Sequence, residues 1–239
     1  MSDLSEAVIE ASRFLDLTGV LSNAILGGVV ARNERFDAIG FATLAIVSGL
    51  GGGLIRDTLL QKGTPIALTD PAYIVTALVG AAIAFLIPVQ GRSWNVVFPW
   101  VDALALGTWA VAGATKTLAV GLGALPAVLL GAVTAVGGGA VREILLRQVP
   151  SVFGGNTLYA TPALLASGLL VLLDRLGHPT VGLAVGTLAG AGLMLLSRWR
   201  QWQLPEAYHL EPIRVWRRRP PSKDRQGPPD KGRQGRGNR

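Results

Sequence analysis

Apolar residues fall in seven blocks, near residues 14–31, 37–61, 71–89, 98–118, 123–147, 158–174 and 179–198. Each block falls within the roughly 17–25 residues with which a helix crosses the hydrocarbon of a bilayer. The junctions at Arg32–Arg35, Lys62–Pro65, Val89–Ser93, Phe153–Asn156 and Gly177–Pro179 are charged or rich in Gly and Pro, which punctuate helices. The pattern predicts an all-α membrane protein with seven transmembrane helices. Residues 1–13 form an N-terminal segment, and residues 204–239 a basic tail of Pro, Gly, Arg and Gln that offers too little apolar surface to bury a core.

The blocks also repeat. GGGLIRDTLL at Gly51 to Leu60 returns as GGGAVREILL at Gly137 to Leu146, and the same offset of 86 pairs Asp16 with Asp102, Gly27 with Gly113, Ser48 with Thr134 and Tyr73 with Tyr159. Of the 72 positions from 16 to 87, 16 are identical to their partners. One ungapped offset over a whole half marks a duplication: a three-helix repeat at 14–89, a second at 98–174, and a seventh helix at 179–198. Three crossings per unit is an odd number, so the second copy starts from the opposite side of the membrane. The two repeats are expected to be inverted.

Composition agrees with the bilayer and narrows the chemistry. The chain is 50% hydrophobic and 15% charged, against about 25% charged in soluble domains. It has no cysteine and two histidines, His178 and His209, so disulfides and thiolate chemistry are excluded. No cofactor, metal site or enzymatic activity is expected. The net charge of +7 comes largely from the tail, where 12 Lys and Arg stand against four acids from Arg198 onward. Such a tail reads either as a nucleic-acid binder or as a solvated cytoplasmic end that satisfies the positive-inside bias; the second reading is taken, with no nucleic-acid partner. The N-terminus, with Asp3, Glu6 and Glu10 and no basic start, does not resemble a cleaved signal peptide and is placed outside a cell inner membrane. Arg32, Arg35, Arg92 and Arg147 then face the cytoplasm, while Lys62 and Arg175 run against the bias. Trp94, Trp100, Trp199 and Trp202 lie near helix ends and fit either an interfacial belt or ordinary packing.

The glycine triplets carry the candidate chemistry. Three glycines inside a helix weaken it by about 1 kcal/mol each relative to alanine, and freed backbone groups in a bilayer survive only beside protein or a wet cavity. Gly51, Gly52, Gly53, Gly137, Gly138 and Gly139 are therefore expected to kink the second and fifth helices beside a permeation path near mid-membrane, where inverted-repeat transport proteins place their sites. Close helix packing is the competing role of the same glycines. Arg56 and Asp57 follow the first triplet, Arg142 and Glu143 the second. Adjacent helical residues do not face each other, so partners on other helices are expected, with Asp16 and Asp102 as candidates. Intramembrane charges usually face a polar interior. Ser48 and Thr134 can offer hydroxyls to a permeating ion or bond back to their own helices. Lys116 has no counterpart in the first half, where Val30 stands, and reads equally as a gate or as a snorkelling side chain. Tyr73 and Tyr159 read as interfacial anchors.

Paired GGGxxR[DE]xLL motifs, each preceded by an Asp-led helix and followed by a loop and another span, resemble the trimeric intracellular cation channel family, in particular its prokaryotic members, over Asp16 to Arg198. That resemblance implies a homotrimer in membrane lipid with a potassium pathway inside each protomer. It further implies kinks at the two triplets, charged positions at Arg56, Asp57, Arg142 and Glu143, and a gating role for Lys116. The function expected is a passive monovalent cation channel. The alternative is a secondary carrier for a small zwitterion such as glycine, whose carboxylate would meet a half-helix N-terminus and Arg56 or Arg142.

Overall fold

The computed structural model describes residues 2–88, 92–153 and 158–203. Among these, every regular element is helical: α1 Ser2–Asn33, α2 Ala38–Leu60, α3 Ile66–Thr69, α4 Pro71–Leu86, α5 Arg92–Ala119, α6 Ala124–Leu145, α7 Ala160–Arg175 and α8 Pro179–Arg200, with a 3-10 turn at Ser151–Phe153. Four helical stretches, Ala38–Leu60, Val96–Ala119, Ala124–Leu145 and Pro179–Arg200, are long and apolar enough to cross a membrane. The basic tail at 204–239 lies outside the described residues.

Local chemistry sets the helix ends. Asp37 caps α2 by accepting a hydrogen bond from the Gly40 amide at 2.9 Å, and Asp70 caps α4 by accepting from Ala72 at 3.0 Å, each satisfying a free first-turn donor. Pro71 and Pro179 stand in the first turns of α4 and α8, where a missing N–H costs nothing. Two helices start earlier than the apolar pattern predicts: α1 takes in the segment 2–13, and α5 begins at Arg92. Ser2, Asp3, Glu6, Ala7, Glu10 and Ala11 are helix-compatible, and acids suit an N-terminal turn; hydrophobicity marks the bilayer, not the helix end. The short α3 and the 3-10 turn, neither of which hydropathy suggests, occupy duplicated places after α2 and α6.

α1, α2 and α4 pack together, as do α5, α6 and α7; α8 packs on α5 and α7, and α2 crosses α6. The interior is built largely of alanine, including Ala24, Ala45, Ala77, Ala103, Ala110, Ala114, Ala163 and Ala166, while Ile39, Leu59, Leu86, Leu125, Leu188 and Trp199 are exposed. Small residues inside and large apolar residues outside is the arrangement expected where lipid removes the hydrophobic incentive to bury bulk and close van der Waals packing holds the helices.

Candidate functional site

The two triplets meet. A Cβ placed on Gly51 would lie 3.1 Å from the Gly138 Cα, and one on Gly137 would lie 3.1 Å from the Gly52 Cα. A Cβ on Gly52 would collide with the Thr134 carbonyl oxygen, and one on Gly138 with the Ser48 carbonyl oxygen. Each contact is matched by its partner 86 residues on, a self-complementary crossing in which any side chain would force the backbones apart. The helices are unbroken there: α2 and α6 run through their triplets without interruption, and no triplet glycine has positive φ. The expected interruption is thus replaced by an uninterrupted, close-packed crossing, since the missing side chains permit backbone contact and the intrahelical hydrogen bonds need not open. Gly27 and Gly113 serve the same end one layer away, facing the Ser48 and Thr134 hydroxyls respectively.

Two cavities flank the crossing. The first, about 30 Å³, is lined by Asp16, Gly52, Gly53, Arg56, Tyr73, Trp109 and Thr134, among others. The second, about 80 Å³, is lined by Asp102, Gly139, Arg142, Glu143, Ser151 and Tyr159, among others. Asp16 and Asp102, Gly53 and Gly139, Arg56 and Arg142, and Tyr73 and Tyr159 are all duplicated pairs, so the duplication reaches the cavities themselves.

Beside the first cavity two carboxylates, Asp16 in its lining and the neighbouring Asp57, are held by short hydrogen bonds. Asp16 accepts from the Tyr73 hydroxyl at 2.6 Å and from the Trp109 indole N–H at 2.7 Å. Asp57, 4% exposed, accepts from Arg56 Nε and Lys116 Nζ at 2.7 Å each and from the Ile66 amide at 3.0 Å. This corrects the expectation that Asp16 partners Arg56. The Arg56 and Asp57 Cβ atoms diverge, but the long guanidinium stem reaches back to a carboxylate that Lys116, on α5, and the start of α3 hold in place. Lys116 does not snorkel away; it closes the cluster.

The second cavity keeps the plan with weaker bonds. Asp102, also buried, accepts from the Tyr159 hydroxyl at 3.4 Å. Glu143 accepts from the Ser151 amide at 2.6 Å, and Arg142 Nη2 stands 3.7 Å from Glu143, beyond hydrogen-bond range. The buried Arg142 Nη1 has no hydrogen-bond partner among the described residues. Asp102 is within electrostatic reach of Arg142 and Arg198, but neither makes a short ion pair with it. No lysine takes the place that Lys116 holds in the first cluster, because position 30 is Val30.

The hydroxyls divide as well. Thr134 donates to the Leu130 carbonyl of its own helix at 2.6 Å, whereas the Ser48 hydroxyl is buried without a partner among the described residues. The interfacial role expected of the tyrosines gives way to a structural one, since each binds the Asp that opens its repeat, 57 residues earlier in both halves. That shared spacing is the signal in the sequence that would have found the pairs. Trp109 carries no such signal, because its duplicated position is Asn23. Among the described residues no group of His, Cys, Asp and Glu is arranged to hold a metal ion.

The family model described as Glycine transporter matches twice, at residues 13–88 and 99–175. A UPF0126 membrane protein from Deinococcus radiodurans is 36% identical over 197 residues, covering 81% of this chain and 90% of that protein. A chain solved in work on the structural basis for conductance through TRIC cation channels superposes with a TM-score of 0.76 at 31% identity, covering 82% of this chain and 96% of its own. The TRIC trimeric intracellular cation channel orthologue from Rhodobacter sphaeroides gives 0.72 at 31% identity, with 80% and 98% covered.

Proposed function

The chain belongs to the prokaryotic branch of the trimeric intracellular cation channel family, a membrane protein rather than an enzyme, and from that premise we propose that it is a homotrimeric potassium channel with one pathway in each protomer. The observation that carries the reading is the reciprocal glycine crossing with a charged cavity on either side. A crossing in which residue i meets j+86 and j meets i+86 is what a two-fold axis between the repeats produces. With that axis in the membrane plane, the 16-residue α4 and α7 span together with the longer α1, α2, α5, α6 and α8, and the repeats are inverted. The first cavity then opens outward and the second toward the cytoplasm, with the N-terminus outside and the C-terminus inside a cell inner membrane.

The pathway runs from Asp16, Arg56 and Asp57 past the triplets to Asp102, Arg142 and Glu143. Cation passage requires the arginines to be neutralised, and Asp57 and Glu143 beside them supply the charge. On this reading the route is closed twice, by the backbone contact at the triplets and by Lys116 lying on Asp57. Withdrawal of Lys116 leaves Asp57 with a single cationic partner and turns the outer lining more negative, which favours a monovalent cation. Lys116 is thus the gate residue, and Ser48, with its free hydroxyl, is better placed than Thr134 to meet an ion stripped of water. Currents across voltage-clamped bilayers containing purified protein test the reading: Lys116→Ala is expected to raise open probability several-fold over wild type, and equal open probability in the two would reject the gate.

A further inference from the structure

We propose that the basic tail after α8 binds anionic phospholipid headgroups at the membrane surface, with Arg214, Arg217, Arg218 and Arg219 as the cluster that meets the phosphates. The helix that leads into it ends like an interfacial segment. α8 is long and apolar enough to cross a membrane, and its last turn changes character. Trp199 is 75% exposed and Trp202, just beyond the helix, 45%; the Arg200 guanidinium lies 5.0 Å from the centre of the Trp199 ring. Neither Arg198 nor Arg200 has a carboxylate within salt-bridge distance among the described residues. Exposed tryptophan beside such arginines suits a bilayer interface, where the ring takes the headgroup level and the cation the phosphates.

The chain leaves α8 at a fixed point. Gln201 ends the helix in the left-handed region, with φ 53°, and the Trp202 amide donates to the Ser197 carbonyl at 2.9 Å, which stops the helix and turns the chain off its axis. The Trp202 carbonyl accepts from the Leu158 amide at 3.3 Å, and the Ser197 hydroxyl donates to the Leu158 carbonyl at 3.5 Å, tying the exit to the residues that lead into α7. The sequence then repeats the composition of that last turn. Arg198, Trp199, Arg200 and Trp202 are followed by Ile213, Arg214, Val215, Trp216 and three further arginines to Arg219. From Ile213 onward ten Lys and Arg stand against two acids, Asp224 and Asp230. Even at full extension, segment 203–213 spans no more than about 40 Å, so the cluster stays near the membrane and meets headgroups at high effective concentration. The arginines supply charge, and Ile213, Val215 and Trp216 supply apolar contact, the pair of signals that makes surface anchoring stable. A polynucleotide would satisfy the charge but offers nothing to Ile213 and Val215, which favours lipid. The surface lies outside the two repeats matched at 13–88 and 99–175.

The proposal stands apart from the channel reading, because it is tested without ion flux. The chain has no cysteine, so full-length protein with Ser222→Cys carries a single nitroxide label for electron paramagnetic resonance. In nanodiscs of phosphatidylcholine alone the label is expected to move freely. Mixing in phosphatidylglycerol should cut its mobile fraction at least about threefold, and high salt should restore it by screening. The same label in a chain that also carries Arg217→Gln, Arg218→Gln and Arg219→Gln should stay mobile on both discs. Equal immobilisation in the two lipids would mean that the tail rests on protein and would overturn the proposal, as would free motion over phosphatidylglycerol or unchanged immobilisation in the triple variant. Release of the label from the anionic disc by a short RNA duplex, matched to the lipid in phosphate concentration, would overturn it in favour of a nucleic-acid partner.

Discussion

At Asp57 one buried carboxylate binds the arginine beside it in sequence, a lysine from another helix and the backbone that begins α3. Removing it with Asp57→Asn leaves Arg56, 10% exposed at its side chain, in a dry site without its counter-charge, a change that typically costs about 3–5 kcal/mol. We expect a clear fall in thermal stability in detergent, measured by the loss of monodisperse protein on heating. Lys116 is more exposed, at 37%, so Lys116→Ala should cost no more than about 1 kcal/mol while changing gating. A variant that alters current but not stability separates the two roles. The sequence made both residues visible as intramembrane charges, yet it did not reveal their pairing. The rule that neighbouring helical side chains diverge holds for their Cβ atoms and fails for an arginine whose stem bridges the gap.

At the level of the helices, the triplets were legible and their mechanism was not. Composition shows that three glycines weaken a helix; it does not show that another backbone fills the space they leave. Gly52→Ala should therefore destabilise by overpacking, about 1–3 kcal/mol, and Gly138→Ala by a similar amount, because the two meet reciprocal carbonyl oxygens of Thr134 and Ser48. Gly53→Ala is the contrast, since its Cβ would have the end of the Arg56 side chain 3.8 Å away as its nearest neighbour. Equal melting behaviour of Gly52→Ala and Gly53→Ala would contradict the crossing. Outside the spans, Asp70 caps α4 and meets Arg13 at 2.6 Å. The Ala72 amide, and then Arg13, hold its carboxyl below the ordinary value. A depressed carboxyl stabilises above its unfolded pKa, and that contribution disappears as pH falls through the lower folded value. Asp70→Asn should thus narrow the stability difference between pH 7 and pH 3 relative to wild type, as followed by thermal melts.

At the scale of the whole molecule, duplication was the most legible feature, because a single offset joins Asp16 to Asp102 and each triplet to its copy. What it could not convey was the role of the departures from symmetry. The offset sets Lys116 against Val30 and Trp109 against Asn23, but it does not show that Lys116 binds Asp57 and Trp109 binds Asp16. Inversion has a direct consequence for sidedness. The chain contains no cysteine, so single replacements can be labelled with an impermeant maleimide in intact cells. Lys62→Cys and Val120→Cys should label from outside, and Glu34→Cys and Gln148→Cys only after permeabilisation, giving each duplicated pair opposite sides. Labelling of both members of a pair from one side would mean that the halves run parallel. The most direct measurement of the central claim is single-channel recording of purified wild-type protein in a planar bilayer with potassium as the sole permeant cation. The account predicts discrete unitary potassium currents that scale with voltage and exceed carrier turnover; silent membranes, accompanied by saturable exchange of labelled glycine in the same preparation, would contradict it.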